Sequence, residues 1–472
     1  MGDVGLLKQV DFGRLDAESD DRLLDYFLKT GSALEILTGK YLVIGRKGSG
    51  KTALFRFASS EMRDEGDVIE LDLDAYVFLA HRSLEESGVP TTAAYTASWR
   101  FAITILMYLR VRDSLPINHR NRGDGSIRAI VNGPNVGVMS KILGWLKRVR
   151  KVDLPSVTGV ADLGSMEVAD QESHFIDSTT LVELDKLENI LRERFASRPI
   201  HALIDRLDDA WDGSPESLNI IIGAVRATRY YSHLFNSEGA APVLAFLRTD
   251  LWDGIRFNDK NKFSQDSVFL DWTDEELTAI IEARIDSSIA GGGTGGRPWN
   301  WIFTSDEMRQ RTSSKRYIQK RCLGRPRDII AFAIHARDVA IRNGREVIEN
   351  DDIYGGERMY SRHIVDELID ELQNHVPNID GAIGALKGLG KRTFSLAEWE
   401  AEAGRRGLSA DDAALTLESL FEASVVGVYS SGGQGGGSKT VYRYKDRFVQ
   451  ARESGQLQVH PGFTKELNLK DA

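Results

Sequence analysis

The chain has little of what marks several common classes of protein. Cys322 is its only cysteine, which excludes an internal disulfide framework and a multi-cysteine zinc site. No apolar run reaches the ~18 residues that a membrane-spanning helix needs, and the longest lies within residues 101–109. The first residues lack the basic and apolar regions of a secretory signal, and Leu6 stands where a myristoylation signal has Ser or Thr. These absences predict a cytoplasmic protein.

The charge balance limits the kind of partner. The 472 residues include 60 Lys and Arg and 70 Asp and Glu, which gives a formal net charge of −10. This excess of acid argues against a protein whose whole surface binds nucleic acid, although a local basic groove is compatible with it. The length and the hydrophobic content suffice for about three domains with buried cores.

One segment matches a motif with specific chemistry. An apolar run, 41–44, precedes a stretch that fits G-x-x-x-x-G-K-[ST], and a helix pattern, 53–58, follows it. This context indicates a P-loop, in which glycines let backbone N–H groups surround phosphates, the lysine reaches the β- and γ-phosphates, and the last hydroxyl ligates Mg²⁺. The alternative is a glycine-rich turn that fits by accident. The predicted residues for ATP and Mg²⁺ are Gly45, Arg46, Lys47, Gly48, Ser49, Gly50, Lys51 and Thr52.

A second short strand pattern ends in acidic residues. Residues 201–205 are largely apolar and end in Asp205, and Asp208 and Asp209 follow. Since the carboxyl ends of parallel strands meet at one edge of a sheet, Asp205 is predicted to bind Mg²⁺ together with Thr52. Asp208 or Asp209 would orient or deprotonate the attacking water. The alternative is that these acids only form a turn.

A third strand pattern, 242–247, leads into Arg248. Its end is expected beside that of the acidic strand, so Arg248 is predicted to contact the γ-phosphate or to stabilise charge that develops during transfer. The alternative is an arginine in a surface loop. Further strand and helix patterns, at 68–73, 95–112 and 180–195, alternate along this region. The alternation predicts an α/β domain with a mainly parallel sheet.

Residues 115–177 differ from the rest of the predicted core. They are rich in Gly, Pro and Asn, and their one helix pattern, 138–151, carries five Lys and Arg. We interpret this region as an insertion. Its basic helix either contacts nucleic acid or is a solvated surface.

The region after the core is predicted to form a helical lid. Thr273 and Glu276 fit a capping box at the start of an amphipathic helix. The glycine-rich run 291–296 predicts a flexible connection, and a further helix is predicted over 327–342. A bundle attached in this way can close on a nucleotide and act as a switch.

The carboxy-terminal region has the order of elements that is typical of a winged helix. Helix patterns at 379–389, 395–403 and 409–423 precede two strand patterns around the glycine-rich loop 431–438. The third helix has four acids and no Lys or Arg, which disfavours its insertion into a DNA groove. Basic residues after the loop could still contact phosphate, but we favour a protein-docking or autoinhibitory module.

Together these patterns predict an α/β P-loop NTPase core with a mainly parallel sheet, followed by a helical lid and a small winged-helix-like α+β domain. The predicted domains are a helical lead-in (1–34), the P-loop core (35–272, with the insertion 115–177), the lid (273–363), the winged-helix-like domain (364–452) and a tail (453–472).

These motifs resemble those of the AAA+-related STAND and KAP-type ATPases of bacteria. The resemblance covers residues 35–360. It depends on the P-loop and on four further segments, which are 203–209 (LIDRLDD), 246–250 (FLRTD), 270–277 (LDWTDEEL) and 324–328 (GRPRD).

The resemblance implies roles for particular residues. The P-loop lysine and threonine would hold ATP and Mg²⁺ together with Asp205, and Arg248 would occupy the sensor position. In the lid, Pro326 would pack near the base and Arg327 would act as a second sensor arginine. Many relatives have another acid directly after the first, where this chain has Arg206. This departure leaves open which carboxylate activates water and implies slow turnover.

The leading hypothesis is an ATP-driven molecular switch whose nucleotide state controls homo-oligomer assembly or binding of a protein partner, with no membrane contact. Arg226 and Arg229 would either act as fingers in a neighbouring subunit's site or have an ordinary surface role. The resemblance also implies a role in bacterial stress or antiviral defence. The alternatives are a nucleic-acid-binding regulator that uses ATP as a ligand and a small-molecule kinase.

Overall fold

A computed structural model describes residues 5–72, 91–131, 178–211, 214–236, 239–289, 298–373, 376–432, 437–451 and 455–470. The chain divides into two compact units, residues 29–271 and residues 1–28 together with 272–472. We name the first the P-loop unit and the second the C-terminal unit. Within the described ranges, none of the helices combines the length and apolar character that a bilayer crossing requires.

The P-loop unit is built on a five-stranded sheet. Its strands are β1 (Leu42–Gly45), β2 (Asp67–Asp72), β3 (Ile200–Asp205), β4 (Val243–Arg248) and β5 (Ser267–Phe269). They lie in the order β2-β3-β4-β1-β5, and every pairing is parallel. All residues of β1 and β3 are buried, which is why these strands are near-continuous apolar runs. The predicted α/β core with a parallel sheet is confirmed.

The described helices of this unit are α1 (Gly31–Glu35), α2 (Lys51–Glu65), α3 (Thr91–Val111), α4 (Ile117–Val131), α5 (Ser178–Ser197), α6 (Pro215–Phe235) and α7 (Thr249–Gly254). A buried polar network joins α3, α5 and α6. The carboxylate of Glu188, which is 2% exposed, accepts hydrogen bonds from Arg100 at 2.8 Å and from Tyr230 at 2.5 Å. The hydroxyl of Thr104 donates to the other Glu188 oxygen at 3.2 Å. Because the buried charge is fully partnered, the network fixes how these helices pack.

Helix α4 lies where the sequence analysis predicts no helix. The glycines at positions 123 and 125 weaken its helical pattern. In the structure a Cβ at Gly123 would overlap with the ring of Tyr108, whose hydroxyl donates to Asp124 at 2.7 Å. Close packing on Tyr108 therefore outweighs the low helix propensity, and the prediction of a single helix in the insertion is wrong. The helix pattern at 138–151 lies outside the described residues.

The C-terminal unit is mainly helical. Its described helices are the short helix Leu6–Gln9 and, after residue 272, α8 (Asp274–Ser288), α9 (Pro298–Ile302), α10 (Ser314–Gln319), α11 (Pro326–Arg342), α12 (Asn350–Leu372), α13 (Ile379–Gly388), α14 (Leu396–Arg405) and α15 (Ala410–Glu422). The predicted capping box is confirmed, since the backbone N–H of Glu276 donates to Thr273 Oγ1 at 3.1 Å and that of Thr273 donates to Glu276 Oε2 at 2.9 Å. The glycine-rich run 291–296 lies outside the described residues.

A small antiparallel sheet follows α13. Its strands are β6 (Thr393–Phe394), β7 (Val426–Ser430), β8 (Lys439–Val441) and β9 (Leu457–Val459), in the order β6-β9-β7-β8. Strand β9 belongs to the segment that the sequence analysis separates as a tail. Leu457 and Val459 of β9 are buried, but a strand of three residues is too short to show a recognisable alternation of apolar and polar residues.

The amino-terminal segment packs within the same unit. Leu7 and Phe12 are buried in the core that also contains α8 and α11. Arg284 of α8 lies 3.5 Å from Asp20, whose carboxylate accepts a hydrogen bond from Tyr26 at 2.5 Å. The sequence analysis places this segment in a lead-in that ends at residue 34. Its packing partners on α8 and α11 are more than 250 residues away in the chain, so the local sequence has no pattern that predicts these contacts.

Candidate functional site

The predicted P-loop connects the carboxyl end of β1 to the first residue of α2. Gly48 and Gly50 have φ angles of +77° and +94°, in the left-handed region that glycine adopts without steric cost. The backbone N–H of Ser49 donates to Arg46 O at 3.1 Å and closes the turn. A Cβ at Gly45 would overlap with Ser49 Oγ. The loop is therefore a tight glycine-dependent turn at a helix amino terminus, where backbone N–H groups and the helix dipole favour an anion.

Lys51 lies within this turn. Its Nζ donates to the carbonyl oxygens of Gly45 at 3.1 Å and Arg46 at 3.4 Å. Burial lowers the pKa of Lys51, and the negative charges of Asp208 and Asp205 act in the opposite direction. The structure thus brings the P-loop lysine together with two of the three predicted acids.

Asp205 is the last residue of β3 and is 4% exposed. Burial raises its pKa to about 6, while hydrogen bonds from the Arg206 backbone and from the Thr52 side chain, together with the charge of Lys51, act to lower it. The parallel order of the sheet produces this contact, since β1 and β3 both end at the same edge and flank β4. Thr52 and Asp205 are therefore in contact, and the role of this pair in binding Mg²⁺ stays a prediction.

Asp208 and Asp209 have different surroundings. Arg206 adopts a left-handed conformation, with φ +59° and ψ +33°, which is uncommon for a residue with a side chain and occurs often at functional sites. Its guanidinium forms an ion pair with the exposed Asp209. Asp208 is half-buried, and its charge raises the pKa values of both Lys51 and Asp205. Of these two acids, Asp208 is therefore the one whose charge acts on the P-loop lysine.

Arg248 is the last residue of β4 and pairs in register with Gly45. Its Nε donates to Asp250 Oδ1 at 3.0 Å and its Nη2 donates to Oδ2 at 2.8 Å. The positive charge of Arg248 also lowers the pKa of Lys51. The predicted sensor arginine thus lies beside the P-loop and is held by the carboxylate of Asp250. Sequence reasoning missed Asp250, although its position two residues after the end of a strand could have indicated it.

Pro326 and Arg327 belong to the C-terminal unit. Pro326 is the first residue of α11, and Arg327 Nη1 lies 3.4 Å from Glu367 Oε1. The preceding Arg325 forms a buried two-point contact with Asp328, at 2.7 and 3.0 Å. Of the two arginines, Arg325 has a structural role and Arg327 is the more exposed.

Arg226 and Arg229 lie on α6 and are both half-buried. The guanidinium of Arg226 lies 5.4 Å from the ring centre of Phe257, and that of Arg229 lies 5.6 Å from that of Phe263. These cation–π contacts within the P-loop unit favour the ordinary surface role over that of a finger.

The side chains at the end of β3 and the start of α2 fit ATP and Mg²⁺. The turn is so tight that a Cβ at Gly45 would overlap with Ser49 Oγ. A hydroxyl and a carboxylate are the hard oxygen donors that Mg²⁺ prefers. Among the described residues, no group of three or more His, Cys, Asp or Glu could hold a metal ion. Thr52 and Asp205 would therefore hold Mg²⁺ only together with phosphate oxygens and water. The sheet, the loop and these acids define a P-loop NTPase core.

Two sequence comparisons extend this description. Residues 275–369, from α8 into α12, match the family model of the FunZ-associated C-terminal helical domain. The chain is 22% identical over 396 residues to the "Putative transposon gamma-delta 80.3 kDa protein" of Escherichia coli (strain K12). The matched region covers 80% of this chain and 54% of that protein. The chain thus spans about half the length of the curated relative that it matches.

Several solved structures are distantly similar. Cdc6p from Pyrobaculum aerophilum is 10% identical with a TM-score of 0.35, and covers 98% of this chain and 96% of its own. The Aeropyrum pernix ORC2 protein in its ADPNP-ADP complexes is 12% identical with a TM-score of 0.40, covering 95% and 96%. Drosophila ORC bound to DNA is 11% identical with a TM-score of 0.26, covering 93% and 87%. These likenesses are too distant to assign a function to the chain.

Proposed function

We propose that the protein is an ATP-binding and ATP-hydrolysing molecular switch of the AAA+ or STAND kind, whose nucleotide state controls assembly or partner binding. The contact that carries this proposal is the hydrogen bond between Thr52 and the buried Asp205, beside Lys51 and Asp208. A hydroxyl, two carboxylates and an ammonium at a glycine turn are the groups that bind and hydrolyse a triphosphate. A glycine-rich turn that matched the motif by accident would not require any of these four groups.

Each of these side chains has a distinct task in the proposal. Lys51 binds β- and γ-phosphate oxygens, and Thr52 and Asp205 hold Mg²⁺, which neutralises phosphate charge when it is bound. Asp208 accepts the proton of the attacking water or orients that water. Arg248 stabilises the charge on the transferred phosphoryl group.

The C-terminal unit is proposed to transmit the nucleotide state. Its carboxy-terminal part has the order α13-β6-α14-α15-β7-β8-β9 with an antiparallel sheet, and this order supports a winged-helix-like module. The acidic α15 supports protein docking rather than insertion into a DNA groove. In this proposal Arg327 serves as a second sensor, and ATP favours one of two conformations or assemblies because it binds them with different affinities.

The proposal is tested by ATP turnover and binding of the purified full chain with Mg²⁺. We expect wild-type protein to hydrolyse ATP, and Lys51→Ala to lose both tight binding and turnover. Lys29→Ala is the matched control, because Lys29 lies at the surface of the same unit, where it forms an exposed ion pair with Glu61 and a cation–π contact with Phe57. Hydrolysis by Lys51→Ala at the wild-type rate would overturn the assignment.

Two further measurements test the switch itself. Light scattering with ATP and with ADP should give different molecular masses, or a change of partner affinity, in the wild-type protein and not in Lys51→Ala. A role in bacterial stress or antiviral defence is supported by the resemblance alone. Phage plating on cells that express the two forms tests it, and protection that requires Lys51 is the expected result.

A further inference from the structure

A strongly basic stretch in the C-terminal unit lies outside every residue assigned above. Residues 309–321 contain six Lys and Arg and no Asp or Glu, in a chain with a net charge of −10. They run from the turn after α9 through α10. Two acids, Asp306 and Glu307, lie just before the stretch and mark its limit.

The six cations fall into two groups. Lys315 Nζ lies 3.0 Å from Glu282 Oε1, and Arg321 Nε lies 2.5 Å from the buried Glu357. These two stabilise the unit. The other four side chains are exposed and form no ion pair with any residue in the described ranges. They are Arg309, Arg311, Arg316 and Lys320, and we name them the basic face.

The backbone holds the basic face in a defined geometry. The N–H of Met308 donates to Thr312 O at 2.8 Å, and Arg311 between them has a φ of +51°. A non-glycine residue in this region has a conformational cost that the surrounding turn must offset. Arg309 is fixed by its backbone N–H, which donates to the Tyr354 hydroxyl at 2.9 Å, and by its guanidinium, 4.5 Å from the ring centre of Tyr354.

Helix α10 supplies the other two cations. The Ser313 hydroxyl accepts a hydrogen bond from the N–H of Arg316 at 3.3 Å and caps the helix. The N–H of Lys320 donates to Arg316 O at 3.2 Å, so these residues are one helical turn apart and their side chains project from the same side. The backbone positions of the basic face are therefore fixed, and binding a ligand has to order only the side chains.

The chemistry of the basic face fits phosphodiester groups. Three of its four cations are arginines, whose planar guanidinium binds phosphate by two parallel hydrogen bonds. A membrane surface would need apolar side chains interleaved with the charges. Within residues 309–321 no large hydrophobic side chain is exposed, and the exposed ones next along the chain are Trp301 and Val347. We propose that the basic face binds the phosphate backbone of a nucleic acid. This function goes beyond the ATP-dependent switch.

The test is fluorescence anisotropy with the full chain and a labelled DNA duplex, repeated with duplex RNA and over a series of salt concentrations. The test variant is Arg311→Gln/Arg316→Gln/Lys320→Gln. The matched control is Lys8→Gln/Lys465→Gln/Lys470→Gln, which removes three exposed positive charges from the same unit, none of them among the basic residues after the loop 431–438. We expect the control to keep wild-type affinity, and the test variant to bind more weakly with a salt slope, log K against log salt, reduced by about 2.7, or ~0.9 per lost phosphate contact. Equal thermal unfolding midpoints would establish that all three proteins are folded.

Several outcomes would overturn the inference. They are the absence of binding by wild-type protein at low salt, unchanged binding by the test variant, and loss of binding in the control alone. Binding to vesicles of anionic phospholipid, but not to nucleic acid, would identify a lipid surface instead. The Lys51→Ala variant separates this inference from the proposed ATPase, since it should bind nucleic acid like the wild type even if no ATP is hydrolysed by either.

Discussion

Arg206 forms an ion pair with Asp209. This contact distinguishes two acids that the sequence presents as equivalent. The charge of Asp209 is balanced at the surface, whereas Asp208 is half-buried and acts on Lys51. Because a general base must lie where the reacting groups bind, Asp208 is the better candidate to activate water.

Replacing each acid by its amide tests this distinction. We expect Asp208→Asn to lower kcat by about 100-fold or more, the usual effect of losing a general base, with a small change in ATP affinity. Asp209→Asn should leave kcat near the wild-type value, because its carboxylate is paired with Arg206. Single-turnover hydrolysis and equilibrium ATP binding measure the two quantities. If both variants hydrolyse ATP at the wild-type rate, neither acid is the base.

The P-loop and the strand ends could be predicted from local sequence because their chemistry is local. The lysine and the glycines of the loop lie within eight residues, and Asp205 is itself the last residue of the buried strand β3. The capping box at Thr273 and Glu276 is equally local. Such features depend on neighbours along the chain, so their spacing alone specifies them.

Features that depend on distant neighbours could not be predicted. That Asp208 acts on Lys51, a residue far away in the chain, is shown only by the fold, and Arg206 adopts a left-handed conformation for which arginine carries no sequence signal. The helix around Gly123 is stabilised by Tyr108, and strand β9 pairs with residues more than 25 positions away. Tertiary contacts decide all three cases, where intrinsic propensity is weak or misleading.

The close approach at Gly45 gives a further prediction. Gly45→Ala should weaken ATP binding at least tenfold, because its Cβ would overlap with Ser49 Oγ and lie 3.1 Å from Leu270 Cβ. Gly31→Ala is the matched control, since no atom lies within 4 Å of a Cβ there. Titration calorimetry with ATP and Mg²⁺ measures both. Wild-type affinity in Gly45→Ala would show that the loop can move without loss of the site.

The buried network around Glu188 predicts a large effect on stability. Glu188→Ala should destabilise the protein by about 3–5 kcal/mol, because it leaves Arg100 without its buried partner. Glu193→Ala, on the same helix, removes only an exposed contact with His119 at 3.3 Å and should cost at most about 1 kcal/mol. Urea unfolding followed by circular dichroism compares them. A similar shift in the two variants would mean that the network contributes little.

The raised pKa of Asp205 predicts how Mg²⁺-dependent binding changes with pH. A carboxyl must lose its proton to ligate a metal ion, and burial moves the pKa of this group to about 6. Wild-type affinity for ATP with Mg²⁺ should therefore fall, relative to that of Asp205→Asn, as the pH decreases through about 6. The wild-type affinity is divided by that of Asp205→Asn because the terminal phosphate of ATP titrates in the same pH range and affects both proteins alike.

The effect on stability has the opposite sign. Because the pKa of Asp205 is higher in the folded protein than its ordinary value of 3.8, folding is favoured by protonation. The contribution of Asp205 to stability is complete below that ordinary value and is lost as the pH rises through about 6. The ligand-free protein should thus gain stability from this residue over the same pH decrease that weakens ATP binding. An affinity ratio that stays constant from about pH 8 to about pH 5 would show that Asp205 does not act as the metal ligand.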